Sequence, residues 1–147
     1  MKFIPMPKFT TDRIVRRLRW IMMAVILFDM INTLLGQPGS YWHHPFNVDE
    51  GNHLSRFFMT RGYLVFCIYD LAYLTVAFLM ASMLPRRVAL IVIFAFILGH
   101  YFGASTWLNN RWNFGTHGVV IYGIILAMIL VRAAFPEESE PSAEGNL

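Results

Sequence analysis

Charge is what this sequence has least of: Asp, Glu, Lys and Arg together make up 14% of its 147 residues, against about a quarter in ordinary soluble domains. Hydrophobic residues reach 56%. They fall in runs longer than a core of this size can hide, which excludes a soluble globular domain and leaves lipid as their solvent. A single cysteine, Cys67, excludes an internal disulfide and any paired-cysteine metal motif. It lies in an apolar run, where a thiol behaves as a small hydrophobe. No His-Glu-x-x-His motif is present, and neither Ser82 nor Ser105 has a histidine and an acid arranged around it, so zincin and serine-type chemistry find no support. The formal charge of +3 lends nucleic-acid binding no support, because most of the basic residues flank apolar segments, where they set orientation and meet lipid headgroups.

What is present is apolar length. A membrane-spanning helix needs roughly 20 mainly apolar residues, and four stretches meet this, at about 18–35, 62–84, 88–108 and 114–135. The first reads as a retained helix, not a secretory signal, since its basic region is long, Asp29 interrupts it and no small-x-small cleavage site follows. Taking alternate sides, Lys2, Lys8, Arg13, Arg16, Arg17, Arg19, Arg86, Arg87 and Arg132 fall on one side, and only Arg56, Arg61 and Arg111 on the other. The positive-inside bias therefore predicts an all-α inner-membrane protein, an up-down-up-down four-helix transmembrane bundle over 18–135 with both termini cytoplasmic. Residues 1–17 read as a basic amphipathic segment that Thr10, Thr11 or Asp12 can cap, 36–61 as an outer loop, and 136–147 as an acidic, disordered tail. Tyr41, Trp42, Trp107 and Trp112 read as an aromatic belt at the outer headgroups.

Ionisable groups inside the spans are the anomalies, because a charge at a helix centre costs ~2.5 to 3.5 kcal/mol on insertion scales and has to face the bundle interior or water. Asp29, Asp70 and His100 are the main three. At about 1.5 Å per residue all of them fall ~10 to 12 Å below the outer surface. Asn32 and Thr33 share a helical stripe with Asp29, and Cys67 and Tyr73 flank Asp70. Ala95, Gly99 and Gly103 form a small-residue ladder beside His100 that predicts close approach of another helix, and His117 stands at the outer mouth of the last span. Imidazole with carboxylates suits zinc, iron or manganese, so Asp29, Asp70 and His100 are candidate ligands of a divalent metal, with hydrogen-bonded structural glue as the alternative. Haem would need axial histidines at matching depth, and His100 and His117 differ by a turn or more.

Asp29-x-x-Asn32 in the first span, followed by Glu50-Gly51-Asn52 before the second, resembles a group of uncharacterised small bacterial membrane proteins. Those carry an Asp followed by Thr or Asn in the first span and a Glu-x-Asn-Pro-like element afterwards; here His53 replaces the proline. The resemblance implies a compact helical membrane domain without an established reaction, and it adds Glu50 and Asn52 to the polar cluster. The leading expectation is an outward-facing intramembrane pocket for a cation, proton or small ligand, lined by Asp29, Asn32, Asp70 and His100, with Glu50, Asn52 and His117 at its mouth. Two alternatives stand beside it. One is a membrane-embedded enzyme acting on a lipid-linked substrate; the other is a non-catalytic subunit of a larger membrane complex, or a homo-oligomer, using the Phe94, Phe96 and Phe102 stripes as its contact and keeping the polar cluster satisfied internally.

Overall fold

Asp12 starts the first helix: its side chain accepts a hydrogen bond from the Val15 N–H at 3.0 Å, satisfying one of the donors that open a helix. From there the computed structural model, which describes residues 12–112 and 114–135, runs through five α-helices with no strand among the described residues. These are α1 (Arg13–Leu35), α2 (His53–Met59), α3 (Tyr63–Met83), α4 (Arg86–Asn110) and α5 (Gly115–Ala134). All but α2 are long and apolar enough to cross a membrane, as an integral membrane protein requires. Thr10, Thr11, the remainder of the basic segment before Asp12 and the acidic tail 136–147 lie outside the described residues.

The helix ends follow from local chemistry. Leu84 precedes Pro85, is extended at φ −78° and ψ 153°, and so ends α3, while Pro85 opens α4 without needing an N–H. Gly62 enters α3 at φ +111°, a conformation that costs glycine little and a side chain much.

α1 is the central element and packs on α3, α4 and α5. Its Val15, Leu18, Met22, Val25 and Ile26 meet small or branched residues of the other helices, Ala77 and Ala81 of α3, Ala89, Ile93 and Ile97 of α4, and Leu126 of α5. Alanines on α3 and α4 let the axes approach closely, which is how helices associate where lipid removes the hydrophobic drive. The register of α1 on α4 is read in three contacts: Asp12 with Arg86 at 3.0 Å, Asp29 with His100 at 2.8 Å, and Gly36 under the Trp107 indole. A Cβ on Gly36 would overlap that ring. On α3 the order is reversed, for Trp20 of α1 meets Phe78, while Met30 and Leu34 pack against the small core that holds Phe66. The large apolar side chains left outside, such as Leu71, Ile91, Ile121 and Met128, are suited to acyl chains.

Three expectations are corrected at this level. Arg19 does not reach out to headgroups as the basic residues flanking the spans are expected to: only 9% exposed, it donates to Ser82 Oγ at 2.5 Å and lies 4.3 Å over the Phe78 ring, because Leu18 and Met22 beside it carry that face of α1 into the core. Tyr41 is not a belt residue. It is 2% exposed and sits in a second small core with Val48, Met59 and Phe66, its hydroxyl donating to the Met59 carbonyl. The 36–61 segment is also more than a loop, holding two 3-10 turns and α2, whose start is capped by the Asn52 side chain accepting from the N–H groups of Leu54 and Ser55.

Candidate functional site

Gln37 holds the 36–61 segment down. Buried just past the end of α1, its amide donates to the Thr33 carbonyl at 3.0 Å and the Asp49 carbonyl at 3.1 Å, and its oxygen accepts the Asp49 N–H at 2.8 Å. This ties the residue before Glu50 to the top of α1, so Glu50, Asn52 and Ser55 reach the wall of a cavity of about 470 Å3 whose remaining lining comes from α1, α3 and α4. Asp29, Asp70 and His100 are all in that wall, with Thr33, Tyr73 and Trp107.

The geometry around His100 is specific. Its Nδ1 lies 2.8 Å from Asp29 Oδ2 and its Nε2 lies 3.1 Å from the Tyr73 hydroxyl, so one imidazole joins helices α1, α4 and α3. With His100 neutral, Nδ1–H donates to Asp29 and the Tyr73 O–H donates to Nε2; with His100 protonated, both nitrogens donate and the Tyr73 oxygen accepts. The chain survives either state. Asp29 Oδ1 and Asp70 Oδ2, by contrast, are buried and have no hydrogen-bond partner.

Glycine makes the first of these contacts possible. A Cβ at Gly103 would stand 2.6 Å from Asp29 Oδ2 and 2.8 Å from Oδ1, so only a bare backbone admits that carboxylate against α4. At Gly99 a Cβ would meet nothing within 4 Å. The ladder of Ala95, Gly99 and Gly103 therefore does not seat another backbone along its length, as its spacing predicts; two of its steps open space for the cavity and one admits a side chain.

Not every predicted member is brought in. Asn32 is buried, but its amide donates back to the Phe28 carbonyl at 2.7 Å and it is absent from the cavity wall, where its neighbour Thr33 stands instead. His117 is exposed on α5, which packs beside α4 away from the cavity, and takes no part. The divalent-metal set of Asp29, Asp70 and His100 also fails on geometry. Both ring nitrogens of His100 already have partners, and among the described residues no group of three His, Cys, Asp or Glu side chains could hold a metal ion. Gln37, Trp107 and Ser55 are site residues that motif reading does not find.

A second cavity of about 360 Å3 adjoins the first and shares Glu50, Asn52, Gly103 and Trp107 with it; Asp49, Gly51, Thr106, Asn110 and Arg111 complete its wall. Glu50 thus stands between the two. Burial raises its pKa, the Asn52 N–H that it accepts at 2.7 Å opposes the rise, and Asp29 adds to it. A carboxyl whose folded pKa is raised favours its protonated form in the folded state, so its contribution to stability is complete below the ordinary glutamate range and is lost as pH rises through the folded value. Glu50→Gln, which keeps the acceptor for the Asn52 N–H, is expected to lose less stability than the parent between pH 4 and pH 8. Thermal denaturation of both across that window checks this, and parallel curves would refute it.

No protein-family model matches the chain, and neither a curated protein nor a solved structure is similar to it.

Proposed function

We propose that the chain is a multi-pass protein of the bacterial inner membrane whose four long helices cross up-down-up-down with both termini in the cytoplasm, and whose cavity is an outward-facing pocket for a proton, a cation or a small ligand. The observation that carries this reading is the Asp29–His100–Tyr73 chain, drawn from three helices, on the wall of a cavity that also receives Asp70 and Glu50. Polar groups are expensive at that depth, and interhelical hydrogen bonds return on average only ~0.6 kcal/mol in membranes, which is too little to account for two intramembrane acids as glue. A chain of alternating donors and acceptors that tolerates both states of its imidazole can accept, hold and pass on a proton. The excess of basic residues on the side of Arg13 and Arg86 supports the orientation that puts the cavity outside. The non-catalytic subunit reading asks for an internally satisfied polar cluster, and the unpartnered oxygens of Asp29 and Asp70 weigh against it.

The test uses Gly99→Cys in a Cys67→Ser background, since a side chain at 99 has room. In intact cells the introduced thiol is expected to react with a membrane-impermeant methanethiosulfonate added outside. A thiol that reacts only after the cytoplasmic side is opened would overturn the outward orientation, and one that never reacts would remove the pocket.

A further inference from the structure

The electrostatic and aromatic make-up of the cavity narrows what it takes. Three carboxyl groups, Asp29, Glu50 and Asp70, face one imidazole, and no lysine or arginine is in the lining among the described residues. In a low-dielectric interior that imbalance has to be offset by protons or by a cation. One carboxylate is committed to the protein, since Asp29 Oδ2 is bonded to His100, whereas Asp70 Oδ2 is wholly buried with no partner. An unpaired oxygen buried away from water is costly unless a ligand supplies its donor or its counter-charge.

Two further observations decide between kinds of cation. A cavity of about 470 Å3 is in the range of small-molecule sites and many times larger than a single ion needs. Four aromatic side chains, Phe66, Tyr73, Phe96 and Trp107, share its wall with aliphatic and small residues. Ring faces attract organic ammonium groups, most strongly where water is excluded, and cover an apolar body at the same time. Anionic ligands would meet the carboxyl groups without a compensating charge. A bare metal ion has no use for the aromatic side chains and finds no three-ligand group among the described residues.

We infer that the pocket binds an organic cation, a small ammonium compound with an apolar or aromatic body, its charge against Asp70 and its body against the aromatic side chains of the wall. The inference rests on the outward-facing pocket proposed above and names its ligand class. The adjoining cavity, which shares Glu50 and Asn52 with the first, sets two acids, Asp49 and Glu50, against one base, Arg111, a balance that leaves its wall net negative.

The probe is benzyltrimethylammonium, which carries a permanent charge and so reports on electrostatics without a proton of its own. The Gly99→Cys protein in the Cys67→Ser background, reconstituted in lipid nanodiscs, is labelled with the impermeant thiol reagent in the presence of benzyltrimethylammonium, benzyl alcohol, benzoate or sodium ion at equal concentrations and constant ionic strength. Benzyltrimethylammonium is expected to slow labelling at least tenfold in a saturable way, with the other three leaving the rate within twofold. Equal protection by benzyl alcohol would make the pocket merely apolar, and equal protection by sodium would make it an inorganic cation site; either result overturns the inference. A thiol that reacts freely and is protected by none of them overturns the ligand class while leaving the outward-facing pocket intact, whereas a thiol that never reacts overturns both. Thermal denaturation of the unsubstituted protein with the same four compounds gives a readout free of any variant: only benzyltrimethylammonium is expected to raise its Tm, and an unchanged Tm at a saturating concentration counts against the inference.

Discussion

Gly103→Ala is expected to destabilise the protein by about 1–3 kcal/mol, the usual range for forcing an extra methyl into a filled space, and to break the contact between Asp29 and His100. The added Cβ would stand 2.6 to 3.0 Å from three atoms of the Asp29 carboxyl group, closer than carbon and oxygen pack. Asp29 then has to swing away, leaving His100 Nδ1 without its acceptor. Gly99→Ala, one turn earlier on the same helix, meets nothing within 4 Å and is expected to be neutral for stability. Thermal denaturation in one detergent compares the two, and the ring 15N shifts of His100 report whether its bond to Asp29 persists. Equal stabilities for the two variants, with unchanged His100 shifts, would show that the Asp29 carboxylate is not held against the α4 backbone.

That contrast between neighbouring glycines marks the limit of sequence reading here. The all-α class and the four long apolar helices are legible because length and apolarity alone decide whether a helix can satisfy its backbone inside lipid. A common level along the bundle is legible as well, since rise per residue is constant, and Asp29, Asp70 and His100 line one cavity. Azimuth is not. Asn32 and Thr33 are adjacent in sequence and about 100° apart on the helix, and it is Thr33 that lines the cavity while Asn32 bonds back to its own turn. His117 shares the chemistry of His100 but sits on α5, the least buried of the four long helices, on a face turned to the outside. Aromatic residues mislead for a related reason: Tyr41 and Trp107 have belt composition, yet Tyr41 fills the small core under the 36–61 segment and Trp107 covers Gly36 and lines the cavity. Gln37 has no motif at all. Two of its three hydrogen bonds depend on where the backbone of Asp49 returns, which the fold of the whole segment decides.

The two intramembrane acids, alike in type and depth, are expected to respond to substitution with opposite signs. Asp29 is wired into the protein through His100, so Asp29→Ala leaves a buried imidazole N–H unmatched and is expected to cost about 1–3 kcal/mol. Asp70 Oδ2 touches no donor, and its charge is desolvated without a partner. Asp70→Asn keeps the shape and removes that charge, so the fold is expected to gain on the order of 1 kcal/mol, the usual return for relieving a site kept for function. The loss appears in binding: affinity for benzyltrimethylammonium is expected to fall at least tenfold, since a neutral amide offers the cation no counter-charge and the aromatic side chains remain. Stability and binding therefore move in opposite directions in one variant, a pattern that structural glue does not produce, because removing glue lowers stability and leaves a binding site elsewhere untouched. Thermal denaturation and equilibrium binding on the same purified Asp70→Asn protein measure both. A variant that is less stable and binds the cation as tightly as the parent would make Asp70 a structural residue and leave the pocket without the charge on which its ligand depends.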